Sequence, residues 1–137
     1  MQRPVPKPSA ETRAFWDAIE RDALTYQVCE ACGKVATYPR GVCGHCHSTR
    51  LSMRPSSGRG IIKTWTRAHR AATPAFKDHV PYVIALVDVE EGFPVMTNVT
   101  GVYAGQVAIG DAVDVRVVDR GDGVKLLQAF AATGATA

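Results

Sequence analysis

Four cysteines stand as two C-x2-C pairs, Cys29 with Cys32 and Cys43 with Cys46, separated by ten residues. Each pair sets two sulfurs on one tight turn, and two facing turns complete a tetrahedron around one ion at Zn–S distances of about 2.3 Å. Gly33 after the first pair and Gly44 inside the second are expected to supply the backbone freedom these knuckles need. With thiolate at all four positions no place is left for water or substrate. The chemistry expected of Cys29, Cys32, Cys43 and Cys46 is therefore structural zinc binding, in which metal affinity is folding energy. His45 and His47 are not needed as ligands and are expected to be exposed. The all-sulfur set also suits iron, as in an electron carrier. A redox C-x2-C would need a strand and helix around it, which the flanking Glu30, Gly33 and Gly44 do not suggest.

Elsewhere the chain lacks a nucleophile elbow, a zinc-protease helix, a phosphate loop and a dinucleotide fingerprint, and the short Gly58-Arg59-Gly60 run fits none of them. His69 and His79 flank a long loop with no carboxylate spaced to orient either, so no catalytic residue is expected. Lys63, Trp65, Arg67 and His69 fall on alternate positions of one apolar stretch. Two cations around an indole stack on and clamp a phosphate-bearing purine, in single-stranded nucleic acid or at the nucleotide end of coenzyme A. Equally, Trp65 faces the core and the cations are solvated at its edge. Lys34, Arg40, Arg50, Arg54 and Arg59 add a basic rim around the cysteines.

These residues must be positioned by a mainly β chain. Met1 to Ala10, with three prolines, reads as an extended arm. Ser9 is placed as a helix N-cap, and Phe15, Trp16, Ile19, Ala23 and Leu24 recur at helical spacing over about four turns. Such a stripe is ordinarily a core face. Ahead of a small ribbon it also suits docking on a partner. Alternation of apolar residues gives five strands: Gly60 to His69, Tyr82 to Val89, Phe93 to Thr100, Asp111 to Asp119 and Val124 to Ala131. On the first, Ile61, Lys63, Trp65 and Arg67 should share one face. A loop of about a dozen residues, marked by Pro74 and Pro81, follows it. Five short strands with this spacing suit a small OB-type barrel. The expected organisation is an arm and amphipathic helix over 1–26, a zinc ribbon over 27–53, the barrel over 54–131 and a disordered tail over 132–137.

Of the 137 residues, 46% are apolar and 21% charged, which excludes a disordered or membrane-embedded chain. No stretch approaches the roughly 20 apolar residues of a membrane span, and the first ten residues lack a signal-peptide core. A cytoplasmic chain with reduced thiols is expected, which favours metal over disulfides. The formal charge is +3. Zinc on four thiolates adds two negative charges and brings the holoprotein to about +1, which removes most of the electrostatic case for nucleic acid.

Taken together, Phe15 and Trp16, the run Cys29 to Gly33, Pro39 and Arg40, Cys43 and Cys46, Gly58 and Gly60 before Thr64 and Trp65, Pro81 and Tyr82, and Thr97 with Asn98 resemble the DUF35 family. The resemblance covers Phe15 to Phe130. It implies a helix and rubredoxin-like ribbon ahead of an OB barrel, in a non-catalytic partner subunit of thiolase-like enzymes (thiolases, aldolases or acyltransferases) acting on acyl-CoA. It further implies a hetero-oligomer in which helix and ribbon dock on the partner through Phe15, Trp16 and Leu24. The barrel would complete or cover the partner's acyl-CoA site, with Trp65, Arg67, His69, Tyr82 and Asn98 facing the coenzyme A thioester. The competing expectation, from fold alone, is a single-stranded nucleic-acid-binding module. That module would bind with a steep salt dependence.

Overall fold

A computed structural model describes residues 3–100 and 106–132. The tail expected to be disordered lies, from residue 133 on, outside the described residues. One helix, α1 (Arg13–Glu20), precedes a three-stranded antiparallel sheet of β1 (Thr25–Cys29), β2 (Val35–Ala36) and β3 (Leu51–Pro55), in the order β2-β1-β3. Five strands then form a closed barrel: β4 (Arg59–Ala68), β5 (Tyr82–Val89), β6 (Pro94–Val99), β7 (Ala112–Asp119) and β8 (Lys125–Ala131). The barrel order is β4-β5-β6-β8-β7, with β7 returning to β4 and β6 pairing β8 in parallel. This is the expected mainly β chain with an N-terminal helix, a four-cysteine ribbon and a five-stranded OB barrel.

The helix is half the expected length. Ser9 does not cap it: Ser9 and Thr12 exchange hydrogen bonds one turn earlier, the Ser9 N–H donating to Thr12 Oγ1 at 2.9 Å and the Thr12 N–H to Ser9 Oγ at 3.2 Å. At the other end Asp22 turns left-handed at φ 61°, and the Ala23 N–H closes on the Ala18 carbonyl at 2.9 Å. Ala23 and Leu24 therefore lie beyond the helix. Sequence periodicity cannot see such a stop at a residue other than Gly.

Phe15, Ile19 and Leu24 are nonetheless buried, at 1%, 1% and 7% exposure, in one core cluster with Ile62, Val87, Phe93, Val95, Val113 and Ala129 of the barrel. Each buried side chain of that size contributes about 1.5–3 kcal/mol. Phe15 sits edge-on to Trp16 at 5.2 Å and to Tyr38 at 4.9 Å, while Tyr26 of β1 stacks on Phe93 at 5.0 Å. The expectation that Phe15 and Leu24 contact a partner is corrected by this packing. The helix closes the barrel's own core, and of Phe15, Trp16 and Leu24 the half-buried Trp16 alone keeps surface to offer.

Simple alternation also fails on β4. Ile62 pairs with Val87 but Thr64, not Lys63, pairs with Leu86, so Lys63 is an extra residue in a β-bulge. The bulge reverses the parity of every residue after it. Ile61, 53% exposed, is on the outside, and Trp65 packs on the core on the same side as Ile62. Two glycines let the start of β4 approach both neighbours closely, Gly58 against β7 and Gly60 against β5. A Cβ on Gly58, at φ 78°, would lie 2.3 Å from the Val115 carbonyl oxygen, and one on Gly60 would lie 2.7 Å from that of Asp88. The Gly58-Arg59-Gly60 run is thus a close-approach motif of the barrel.

Candidate metal centre and barrel cleft

Two matching turns hold the cysteines. In the first, the Gly33 N–H donates to the Cys29 carbonyl at 2.8 Å and the Cys29 N–H to the Lys34 carbonyl at 2.9 Å. In the second, the His47 N–H donates to the Cys43 carbonyl at 3.0 Å and the Cys43 N–H to the Ser48 carbonyl at 2.9 Å. The fourth residue after each leading cysteine is left-handed, Gly33 at φ 78° and His47 at φ 64°. His47, not Gly44, therefore does in the second knuckle what Gly33 does in the first. His45 and His47 are both exposed.

The four sulfurs all lie within 4.8 Å of one another, with Cys29 Sγ 3.6 Å from Cys46 Sγ and Cys32 Sγ 3.7 Å from Cys43 Sγ. A tetrahedron with Zn–S bonds of about 2.3 Å has S···S edges of about 3.8 Å, whereas a disulfide is about 2.05 Å. The donor set fits zinc. Backbone N–H groups of Cys46 and His45 point at Cys43 Sγ and hold that thiol down at about 6. At Cys46 the Ser48 N–H pulls the same way, but desolvation and the three neighbouring thiols outweigh it and push the group up to about 12. Four clustered thiols do not ionise together unaided; a divalent cation supplies the compensating charge.

The ribbon is braced from outside. Gln27, buried at 7%, reads the backbone of Arg40 with both ends of its amide, donating to the carbonyl at 3.0 Å and accepting from the N–H at 3.1 Å. Of the basic rim, Arg54 pairs with Glu30 at 3.3 Å and Arg59 with Glu90 at 2.9 Å, so part of that charge is neutralised locally. The short segment linking β3 of the ribbon to β4 of the barrel is pinned by two glutamates. Ser56 Oγ donates to Glu91 at 2.7 Å, the Ser57 N–H to Glu91 at 2.9 Å and Ser57 Oγ to Glu90 at 2.7 Å.

On the barrel, the residues expected to face a ligand separate into two groups. Arg67 lies over the Trp65 ring at 5.6 Å, and both are half-buried along the inner side of β4, so the indole face is occupied by the chain's own cation. His69 is exposed at the end of β4. Tyr82 and Asn98 come together in a cleft of about 420 Å³, within the ordinary range for small-molecule sites. Its floor is the face of β5, β6 and β8, where Asn98 stands opposite Gln128. The loop between β4 and β5 forms one wall with Phe76 and His79, Phe76 lying 6.0 Å from Tyr82. Arg3 of the N-terminal arm also lines it. Arg3 and Gln128 carry no spacing signal in sequence, because each acts through a partner distant along the chain.

Family models describe the same two units. "ChsH2, rubredoxin-like zinc ribbon domain" matches residues 16–52, and "ChsH2, C-terminal OB-fold domain" matches residues 53–118. A DUF35 domain-containing scaffold protein of Methanothermobacter thermautotrophicus is 34% identical over 106 residues, 76% of this chain and 79% of that protein. The chain belongs to the DUF35 family. Another relative of this DUF35 protein, a probable enoyl-CoA hydratase alpha subunit of Thermomonospora curvata, is 34% identical over 107 residues. The match covers 77% of the chain but only 33% of that relative's length. Among solved structures, the "Ltp2-ChsH2(DUF35) aldolase" superposes with a TM-score of 0.80 at 27% identity, covering 92% of this chain and 98% of the matched one. No helix among the described residues is long and apolar enough to cross a membrane.

Proposed function

We propose that this DUF35 protein is a non-catalytic, zinc-containing subunit of a thiolase-type acyl-CoA complex, in which its barrel completes or covers the partner's acyl-CoA site. The observation that carries the reading is the likeness to a DUF35 chain from an aldolase, over 98% of that chain's length. The relative named as a probable enoyl-CoA hydratase alpha subunit supports a subunit of an enzyme acting on acyl-CoA. A four-cysteine site with every position taken by sulfur offers no open coordination for catalysis. The contribution of such a subunit is positioning and exclusion of water around a substrate whose bonds the partner makes or breaks.

On this reading the ribbon and helix side meets the partner through Trp16 together with Tyr38 and Val42, the last two exposed at 49% and 48%. Tyr82 and Asn98 are the barrel residues placed to meet the thioester ligand, in the cleft they share. Purification of the tagged protein from its native cell, with mass spectrometry of what accompanies it, tests the reading. A thiolase-like subunit in stoichiometric amount supports it. Recovery of nucleic acid with a steep salt dependence would favour the single-stranded binding module instead.

A further inference from the structure

The N-terminal arm, Arg3 to Pro8, carries prolines at positions 4, 6 and 8, so alternate residues have no N–H to donate. Such a segment cannot join a sheet edge by a regular ladder, and whatever holds it must bring donors to its carbonyls. Arg120, in the turn between β7 and β8, does this. Its Nη1 donates to the Pro4 carbonyl at 2.9 Å and its Nη2 to the Arg3 carbonyl at 3.1 Å. Its Nε lies 2.9 Å from both carboxylate oxygens of Asp122, which balances the charge. The Arg120 side chain is only 4% exposed. The turn itself is tied by Asp119, which accepts from the N–H groups of Gly121 and Gly123 at 2.7 and 3.2 Å. A buried, charge-balanced guanidinium on a tied turn is a fixed anchor, not a chance surface contact.

What the anchor delivers is Arg3, which lines the cleft together with Phe76 and His79 and whose Nη2 also donates to the Arg120 carbonyl at 3.4 Å, leaving its other guanidinium N–H groups for a ligand. No aspartate or glutamate among the described residues lines this cleft. Its lining is otherwise aromatic and aliphatic apart from Thr100, with the amides of Asn98 and Gln128 on the floor. Such a lining suits a ligand with a flat or chain-like body and a phosphate at the Arg3 end, because a guanidinium binds phosphate through paired donors.

We propose that the N-terminal arm is a built wall of the barrel cleft, latched by Arg120, and that it presents Arg3 to a phosphate group of the ligand. Arg3 is then a ligand-binding residue and Arg120 a positioning residue that acts through it. The identity of the ligand as a coenzyme A thioester rests on the reading under Proposed function.

Calorimetric titration of coenzyme A, and of pantetheine, which lacks the phosphates, into the zinc-loaded chain and into the captured complex tests this. Arg3→Ala should weaken coenzyme A about tenfold and leave pantetheine unchanged. Arg120→Ala should give a similar loss, and the double variant should be no worse than either single one, because both remove the same contact. Unaltered coenzyme A binding in Arg3→Ala, a variant at a half-buried surface position that leaves the core intact, overturns the proposal. So do additive losses in the double variant. If neither the chain nor the complex binds coenzyme A through this cleft while a thiolase-like partner is still captured, the wall proposal fails and the subunit reading stands.

Discussion

Gly33 and His47 occupy equivalent places in the two cysteine turns, each left-handed and each donating its N–H to the carbonyl of the cysteine four residues earlier. The turns thus share one backbone geometry with unequal residues. A side chain costs energy at such a φ, and only one of the two turns has escaped the cost.

Gly33→Ala should therefore lower stability by about 1 kcal/mol, although no atom lies within 4 Å of where the new Cβ would sit. His47→Gly should leave stability unchanged or raise it by up to about 1 kcal/mol. Thermal melts of the zinc-loaded protein check both; a loss of stability in His47→Gly would mean that its imidazole makes a contact outweighing backbone strain.

Replacement of Cys29 or Cys43 by serine should reduce bound zinc from one ion per chain to a small fraction. Apparent affinities of structural zinc sites run to about 10–16 kcal/mol, and that energy is spent on folding. Metal content after dialysis against a chelator measures the first effect. Capture of the partner should be lost with it. A serine variant that is zinc-free and still assembles fully would separate the ribbon from docking.

Acid should loosen the joint between ribbon and barrel. The Arg59 guanidinium, then the Ser57 hydroxyl, hold Glu90 below the usual carboxylate range. At Glu91 burial works the other way, but the Ser57 N–H and the Ser56 and Ser57 hydroxyls outweigh it and the net shift is again downward. Both groups bind protons more weakly folded than unfolded. Their stabilisation is complete above the unfolded value, about 4.3, and is lost as pH falls through the lower folded values. Glu90→Gln with Glu91→Gln should flatten the dependence of stability on pH below about 4.3, read from denaturant midpoints at successive pH values.

Gly58→Ala and Gly60→Ala should each cost well over about 1 kcal/mol, because a new Cβ would meet the Val115 carbonyl at Gly58 and both the Val87 side chain and the Asp88 carbonyl at Gly60, and those carbonyls cannot swing aside. Denaturant unfolding measures the loss. Hydrogen exchange should rise first along the pairing of Arg59 with Asp114, where the barrel closes.

The cysteine spacing and the alternation of Val113 and Val115, or of Val83, Ala85, Val87 and Val89, were legible in sequence because local chemistry and period 2 decide them. Lys63 was not, since a bulge is a property of pairing between strands and leaves no mark within one. For the same reason Trp65 and Arg67 were placed on the side of Ile61, whereas they follow Ile62. The apolar stripe of α1 was visible, but part of the surface it covers is supplied by barrel residues far along the chain, out to Ala129. Of the cleft, Tyr82 and Asn98 were anticipated. Arg3 depends on Arg120 far along the chain, and spacing carries no information across that distance.

The Phe15 and Leu24 side chains that cap the barrel belong to the same cluster as its strands, and Phe15 also touches Tyr38 of the ribbon. Among the described residues, helix, ribbon and barrel are accordingly packed on one another rather than merely tethered. Removing the metal from a ribbon that touches no ligand should quicken amide exchange inside the barrel, through the seal the helix makes. Metal supply would then govern the lifetime of the whole protein, and the zinc ion, though remote from the cleft, would help decide whether the cleft exists.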